Sequence, residues 1–420
     1  MTIAQLKRDV CAVIDAMTPE LISVSHAIHA NPELAFHEFE AAKLLTSRLE
    51  HAGLPVTRGA FGLPTAYASS FGPDNTPEVA ILSEYDALPG IGHSCGHNII
   101  ATTGLGASLA LAKLGVKLPG RVRYLGTPAE ERGGGKELMA QEGAFDRVDA
   151  AMMVHPAGVD LITMPCICVC EVIVTYHGKS AHASAAPHAG LNALDALVTA
   201  YQAIAQLRQH IKSTDRIHGI ITKGGSAPNI VPDITEGLFY VRGAHADDLA
   251  ALKTRVQACF EAGALATGCT ADIKWSKVNF LDLKTSMPLA NSYEANMLSL
   301  GRTFFPLSKM PAGSSGSTDM GNVSHRVPSI HPMISCAPPN VVIHNPEFAR
   351  WAGSEKGDKA CIDGAKALAM TALDYMTDAT LRQTMRDEFA ATAAHSARSV
   401  DYAFDPHGFI EIGGCGCGAH

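Results

Sequence analysis

The sequence lacks long apolar segments and clusters of basic residues. No stretch of its 420 residues approaches the length needed to cross a membrane, and the first ten residues lack the apolar core of a signal peptide. The formal net charge is -8 and no Lys/Arg stripe is present, which argues against nucleic acid as a partner. Charged residues make up 18% of the chain and hydrophobic residues 47%, which is typical of a soluble globular protein.

The chain also shows no sign of a disulfide framework. Its 11 cysteines are an odd number and are scattered, so we expect reduced thiols and a cytoplasmic location. A chain of 420 residues is too long for one ordinary core, so we expect two domains.

The stretch from residue 79 to residue 98 combines an apolar run with a polar loop. Residues 79–82 predict a buried strand of an α/β sheet, and the loop beyond holds two carboxylates, two histidines and a thiol. Such loops hold the ligand sites of open α/β sheets. On an extended backbone, Cys95 and His97 would point to the same side and could bind metal. The alternative is a buried cysteine beside a hydrogen-bonded histidine in a glycine-rich turn.

Two adjacent glutamates follow the next predicted strand, residues 122–125. In one buried pocket Glu130 and Glu131 would raise each other's pKa unless a cation were present. A metal ion would bind one of them and leave the other free as a base. The alternative is a solvated helix start, where glutamate is favoured by the helix dipole.

Two histidines occupy similar positions further along the chain. His155 follows the predicted strand 150–154, and His344 follows a short apolar run. Each taken alone could be a structural histidine. Imidazole, carboxylate and thiolate together are a ligand set for Zn, Mn or Co, so the sequence predicts a metal site.

The order of predicted elements divides the chain. Residues 2–52 have a helical pattern in which Thr18 and Pro19 predict the N-cap and first residue of a helix. Strands and helices alternate beyond residue 67, as in a doubly wound sheet. A segment of the ferredoxin-like order strand, helix, two strands, helix, strand follows. We therefore expect a metal-binding sheet domain formed by residues 1–168 and 281–420, with residues 169–280 inserted.

Several short motifs occur in the order and spacing of a known family. They are Asp86-Ala87-Leu88-Pro89, His93-Ser94-Cys95-Gly96-His97-Asn98, Pro128-Ala129-Glu130-Glu131, His155-Pro156, Gly178 to His182, and His344-Asn345. The chain resembles the co-catalytic metallopeptidases of the aminoacylase and carboxypeptidase G type, clan MH. Within these it is similar to the amidohydrolase subgroup that includes aminobenzoyl-glutamate hydrolase and the β-alanyl-lysine type dipeptidase. The resemblance implies a zinc-peptidase-like doubly wound sheet with an inserted ferredoxin-like lid and dimerisation domain.

The resemblance also implies two divalent metal ions per subunit, Zn, Mn or Co, with a water between them. Glu130 would be the general base that activates this water, and Asp86 would orient a ligand. The implied reaction hydrolyses an amide bond and releases an amino acid from an N-acyl or N-aroyl amino acid or a dipeptide. The implied metal ligands are Cys95, His97, Glu131, His155 and His344.

Residues of the lid and of the later chain complete the implied site. His182 would stabilise the oxyanion, often across a dimer interface in similar enzymes, and Asn229 would bind substrate, so we expect a homodimer formed through the lid. Arg242 and Asp319 are further candidates for substrate contacts. The alternatives are a solvated strand residue for Arg242 and a helix cap for Asp319.

Two features depart from the family pattern. Many relatives have a metal-binding histidine where this chain has Glu84, which leaves the ligand set of that metal site open. The glycine-rich tail carries Cys415, Cys417 and His420, which could bind a metal, although a flexible terminus is favoured.

Two other functions are consistent with the sequence. One is a thiol amidase in which Cys95 is the nucleophile and His97 or His93 the base, which would leave the glutamate pair without a role. The other is a non-catalytic relative that keeps the fold as a dimeric scaffold.

Overall fold

The structure is a computed structural model that describes residues 2–311 and 315–410. Its strands are, in chain order, β1 (Thr57–Arg58), β2 (Tyr67–Phe71), β3 (Glu78–Ser83), β4 (Arg121–Gly126), β5 (Ala150–Met152), β6 (His155–Ala157), β7 (Cys168–His177), β8 (Arg216–Lys223), β9 (Ile234–Gly243), β10 (Thr270–Trp275), β11 (Ser329–Ile330) and β12 (Met333–Ser335). Its α-helices are α1 (Ile3–Ala30), α2 (Phe39–His51), α3 (His97–Ala112), α4 (Gly135–Gln141), α5 (Ala193–Leu207), α6 (Ala246–Thr267), α7 (Met287–Ser299), α8 (Met320–Ser324), α9 (Pro346–Ala352), α10 (Glu355–Thr377), α11 (Ala379–Ala391) and α12 (Ala393–Ala403).

The described chain divides into two compact units. Unit 1 contains residues 2–165 and 283–397, and unit 2 contains Cys166–Asp282 and Arg398–Ile410. Unit 2 therefore includes a short C-terminal segment besides the inserted stretch. None of the described helices is both long and apolar enough to cross a bilayer.

Unit 1 is built around a six-stranded sheet in the order β1-β2-β4-β3-β5-β11. Strands β4, β3, β5 and β11 run parallel, and β2 is antiparallel to β4. Alternate residues of β3 enter two different apolar clusters: Val79 and Ile81 pack into one, while Ala80 and Leu82 pack into the other. Both faces of the sheet are therefore buried, which explains why β3 is apolar throughout.

Helix α1 corrects the prediction that a helix begins at Pro19. The helix runs unbroken from Ile3 to Ala30, its N-cap is Thr2, and Pro19 lies inside it. The Thr18 hydroxyl donates a hydrogen bond to the carbonyl of Ile14. An interior proline costs about 3 kcal/mol. Seven residues of the helix are nevertheless buried, on both sides of the proline, so continuous packing outweighs the local cost.

Helix α3 packs closely on the sheet because it carries glycines. A Cβ at Gly104 would lie 2.2 Å from Ser83 Oγ and 3.1 Å from the carbonyl oxygen of Leu82. Only glycine allows this approach. It keeps the start of α3, where His97 lies, against the end of β3.

Unit 2 has an antiparallel sheet in the order β10-β7-β9-β8. In chain order its elements are strand, helix, two strands, helix, strand, which confirms the predicted ferredoxin-like order. Helices α5 and α6 share an apolar core with alternate residues of β7 and β9, including Val172, Val174 and Phe239.

Candidate metal centre

Polar side chains gather at one edge of the unit 1 sheet. Strands β3, β4, β5 and β11 are parallel, so their carboxyl ends lie at the same edge. Cys95 and His97 follow β3, Glu130 and Glu131 follow β4, and His155 follows β5. The expected juxtaposition is therefore present in the fold.

Cys95 and His97 are brought together by a turn, so the predicted extended backbone is wrong. Cys95 lies in a turn, Gly96 has φ 78°, and His97 is the first residue of α3. A Cβ at Gly96 would lie 2.5 Å from Pro156 Cγ. Glycine is therefore required both by the left-handed backbone and by the close packing.

Three donor side chains form a first group: Cys95, His97 and His155. One ligand atom from each lies within 4.8 Å of the others. The Nε2 of His155 lies 3.3 Å from Cys95 Sγ, and its Nδ1 faces the carbonyl of Pro156 at 2.8 Å. The carbonyl places a proton on Nδ1 and leaves the Nε2 lone pair directed at the group.

A second group consists of Cys95, Glu131 and His344, again with donor atoms within 4.8 Å of one another. His344 Nε2 lies 3.4 Å from Glu131 Oε2, and the backbone N–H of His344 donates to the carbonyl of Ser94. His344 has φ 60° and its side chain is 52% exposed, whereas the Glu131 side chain is only 8% exposed. The second group therefore opens toward solvent, and Cys95 belongs to both groups.

Asp86 connects residues of the two groups. Its Oδ1 lies 3.0 Å from His97 Nδ1, and its Oδ2 accepts a hydrogen bond from the backbone N–H of Glu131 at 2.9 Å. Burial would raise the pKa of Asp86, but the hydrogen bond and charge of His97 hold it below its ordinary value. An ionised Asp86 thus orients His97 so that Nε2 faces Glu131 and Glu130.

The glutamate pair lies in a buried loop, not at a solvated helix start. Helix α4 begins only at Gly135, and both side chains are 8% exposed. Burial, followed by Glu84 and Glu131, raises the pKa of Glu130 well above its ordinary value. Burial also raises the pKa of Glu131 to about 7. Carboxylates crowded in this way repel one another, and a bound cation would relieve the repulsion.

Glu38 holds this loop and was missed by the sequence analysis. Its carboxylate accepts hydrogen bonds from the backbone N–H of Ala129 and from the Thr65 hydroxyl. Ala129 has φ 60°, a conformation that L-residues rarely adopt. The buried glutamate stabilises this bend, which directs the two following glutamates to the donor groups.

A second missed feature is a buried ion triad beside the donor groups. Lys136 Nζ lies 2.5 Å from Glu84 Oε2 and 2.7 Å from Asp319 Oδ1, and all three side chains are fully buried. Asp319 also accepts the backbone N–H of Lys136 and makes no capping bond to α8. Asp319 is thus the N-cap residue of α8 by position, but its side chain does not cap the helix. Both carboxylate oxygens of Asp319 accept hydrogen bonds from Lys136.

Two histidines near the site have no hydrogen-bond partner within the described chain. Both ring nitrogens of His93 and of His331 are buried and unpaired, and the His331 ring lies 5.3 Å from that of His155. His331 directly follows β11. Its place at the end of an apolar strand could have identified it from the sequence.

The remaining predicted residues lie in unit 2. His182 and Asn229 are exposed and lie on adjoining backbone, since the N–H of Ala183 donates to the carbonyl of Asn229. His182 Nδ1 accepts backbone N–H bonds from Ser184 and Ala185.

Arg242, also in unit 2, is not a freely solvated strand residue. Its Nε donates to His218 Nε2, and its guanidinium lies over the ring of Tyr240. Cys415, Cys417 and His420 of the tail fall outside the described residues.

Comparisons with known proteins agree with this fold. A family model described as a peptidase dimerisation domain matches residues 169–267. A mouse protein named Xaa-Arg dipeptidase is 40% identical over 91% of this chain and 92% of its own length. One subunit of the Escherichia coli p-aminobenzoyl-glutamate hydrolase is 27% identical over 91% of this chain and 95% of its own.

A solved Bacillus subtilis structure described as a dinuclear metal binding peptidase from the M20 family superposes with a TM-score of 0.64. It is 20% identical and covers 86% of this chain and 99% of its own. At this identity the likeness establishes the fold, and the predicted fold class is confirmed.

Proposed function

The chain belongs to the M20 peptidase family and is a metal-dependent hydrolase of amide bonds, and we propose that it binds two divalent ions and cleaves dipeptides that end in a basic residue. The membership confirms the resemblance found in the sequence. The observation that carries the proposed two-ion site is the pair of donor groups that share Cys95, with Glu130 beside them.

The donor atoms fit two divalent ions in both spacing and charge. Neighbouring donors of a tetrahedral site lie about 3.3 Å apart for two nitrogen or oxygen donors and about 3.6 Å apart for a sulfur and a nitrogen donor. The closest pairs here lie 3.3 Å apart at Cys95 and His155 and 3.4 Å apart at Glu131 and His344. One ion would be held by Cys95, His97 and His155, and the other by Cys95, Glu131 and His344.

Charge balance favours two ions over one. Five carboxylates and one ammonium lie in or beside the donor groups, and when ionised these six side chains carry four negative charges. A metal-bound Cys95 thiolate would add one more negative charge, so two divalent cations would balance four of five charges and one cation only two. The six side chains are those of Glu84, Asp86, Glu130, Glu131, Asp319 and Lys136. The mixed donor set suits Zn, Mn or Co.

Glu130 is the proposed general base. When bound, the divalent ions would lower the pKa of water and polarise the scissile carbonyl. Glu130 accepts a proton from the attacking water and then delivers it to the leaving nitrogen as the C–N bond breaks. Its burial beside the donor groups suits this task. Asp86 acts as a positioning residue through His97 and Glu131.

We propose His182 as the group that stabilises the oxyanion, and Asn229 and Arg242 as substrate contacts. Support comes from the family resemblance and from the adjoining backbone of His182 and Asn229. A homodimer formed through the inserted domain, residues 169–280, is supported by the description of the matched family model. It is also supported by edge strand β8, which exposes Ile220 and Ile221.

The proposed substrate class rests on the names of the relatives. A dipeptide with a C-terminal arginine is favoured by the relative at 40% identity, and an N-aroyl glutamate by the relative at 27%. A C-terminal lysine is favoured by the resemblance to the β-alanyl-lysine type dipeptidase. A cytoplasmic location stays a proposal that rests on the scattered cysteines of the sequence.

A panel of amides tests the proposed substrate class. We expect the purified protein with added Mn²⁺ or Zn²⁺ to release arginine or lysine from Xaa-Arg and Xaa-Lys dipeptides faster than glutamate from p-aminobenzoyl-glutamate. Amino acid release is measured by chromatography, with Glu130→Gln protein as the blank. Preference for the aroyl glutamate would replace the substrate class, and release from no amide would contradict the proposal.

A thiol amidase is the second candidate, because Cys95 Sγ lies 3.3 Å from His155 Nε2. The structure thus supplies a different histidine from the predicted His97 or His93. Burial raises the pKa of the Cys95 thiol well above its ordinary value, whereas a nucleophilic cysteine needs a lowered one. We therefore rank the thiol amidase below the metal-dependent hydrolase. The non-catalytic scaffold is set aside, since the family assignment makes the chain an enzyme.

A further inference from the structure

The triad of Lys136, Glu84 and Asp319 has no role in the proposed reaction. Asp319 binds Lys136 twice, through the backbone N–H at 2.9 Å and the ammonium at 2.7 Å. Lys136 in turn donates to Glu84 Oε2. The lysine is thus fixed at both ends and presents its ammonium to Glu84.

Burial of Lys136 in this place lowers the free energy of unfolding. Lys136 is the second residue of α4, where the helix dipole disfavours a cation, and its ammonium is fully removed from water. Replacing a buried ion pair by apolar side chains is often neutral or stabilising. The triad therefore contributes little to stability that apolar packing would not supply, which favours a functional reason for it.

The second oxygen of Glu84 shows what the triad holds in place. Glu84 Oε1 is buried without a hydrogen-bond partner and lies 3.3 Å from His97 Nε2, which is also unpaired. Glu131 Oε1, a third unpaired buried atom, lies 3.7 Å from the same nitrogen. Asp86 occupies His97 Nδ1, so His97 Nε2 and two carboxylate oxygens converge. A proton on Nε2, or a metal ion in place of that proton, would satisfy the two carboxylate oxygens.

We propose that Lys136, clamped by Asp319, positions Glu84 as a further ligand of the ion that His97 binds. This inference rests on the proposed two-ion site and adds a ligand to it. Lys136 occupies one carboxylate oxygen of Glu84, so only the other is free to bind the ion. Asp319 and Lys136 are positioning residues that act through Glu84.

Metal binding by Glu84→Gln protein tests the proposal. Glutamine keeps an acceptor for Lys136 and nearly the same volume, but it loses the charged ligand. Even removal of a residue that only orients a ligand costs about 10–100-fold in metal affinity. We therefore expect one of two ions to bind at least about 10-fold more weakly. Equilibrium dialysis against buffered Zn²⁺ with elemental analysis measures this directly.

Glu137→Gln is the matched control. Glu137 is the next residue of α4, is also fully buried, and pairs with Arg326 at 2.7 Å outside the donor groups. We expect Glu137→Gln to lower the melting temperature without changing metal affinity. In Co²⁺-substituted protein, the visible absorption should change with Glu84→Gln and not with Glu137→Gln.

Asp319→Asn keeps the proposal testable if Glu84→Gln does not fold. It replaces the charged acceptor of Lys136 with a neutral amide. The affinity for the same ion should therefore fall by a smaller factor than in Glu84→Gln protein. A folded Glu84→Gln or Asp319→Asn protein could instead bind both ions with wild-type affinity and show an unchanged Co²⁺ spectrum. That result would show that the triad is only structural and would overturn the proposal. A wild-type protein that binds no divalent ion would instead overturn the proposed function.

Discussion

Replacing Glu130 with glutamine is expected to lower kcat by about 10²–10⁴-fold, the usual contribution of a general base. Glutamine has the same shape but cannot accept a proton from water. Metal content should stay at the wild-type level, because the proposed ligand sets do not include Glu130. Amino acid release and elemental analysis on the same sample measure the two quantities together.

Glu137→Gln also serves as the matched control for this substitution, since both change a buried glutamate of the β4–α4 region. Its kcat should stay near that of the wild type. An unchanged kcat in Glu130→Gln protein would remove Glu130 from its role. Loss of a metal ion would make it a ligand instead, since a carboxylate oxygen of Glu130 lies within 4.8 Å of donor atoms of Glu84 and His97.

Replacing Cys95 with serine is expected to affect both metal ions, because Cys95 is the one residue shared by the two donor groups. Loss of a ligand should lower metal affinity more than loss of a residue that only orients a ligand. We therefore expect the affinity for both ions to fall by more than about 100-fold. Hydrolysis should fall with it. Dialysis against buffered metal and an activity assay provide the measurement.

Cys361→Ser is the control for Cys95→Ser. Cys361 is a free, fully buried cysteine that faces Ser25 in the apolar core and lies outside the donor groups. It should bind both ions with wild-type affinity, although its stability falls. Two tightly bound ions in Cys95→Ser protein would contradict the shared-ligand arrangement. Inactivation of the wild type by iodoacetamide with no effect of chelator would favour the thiol amidase.

The gathering of the donor groups could be predicted from the sequence because the information is local. Apolar runs predicted β3, β4 and β5, and Cys95, Glu130 and His155 follow them at short distances. Parallel strands end at one edge, so the juxtaposition needed no knowledge of side-chain packing. The structure brings all five predicted ligands into two groups.

Local rules failed where tertiary packing outweighed them. Pro19 has the neighbours of a helix start, but buried residues on both sides of it hold α1 together. Gly96 turns the chain between Cys95 and His97 because Pro156, sixty positions away, leaves no room for a side chain.

Residues that support the site from a distance could not be predicted. Lys136 has partners 52 and 183 positions away in the chain, and a lysine in a helix is ordinarily solvated. Glu38 lies 91 positions from Ala129, the residue whose backbone it holds. Neither contact follows from periodicity or spacing.

A metal titration of the chelator-treated protein tests the central claim most directly. The account predicts that the stripped protein is inactive and that Zn²⁺ or Mn²⁺ restores amide hydrolysis as the chain takes up two ions. Full hydrolysis by a protein that elemental analysis shows to be metal-free would contradict it.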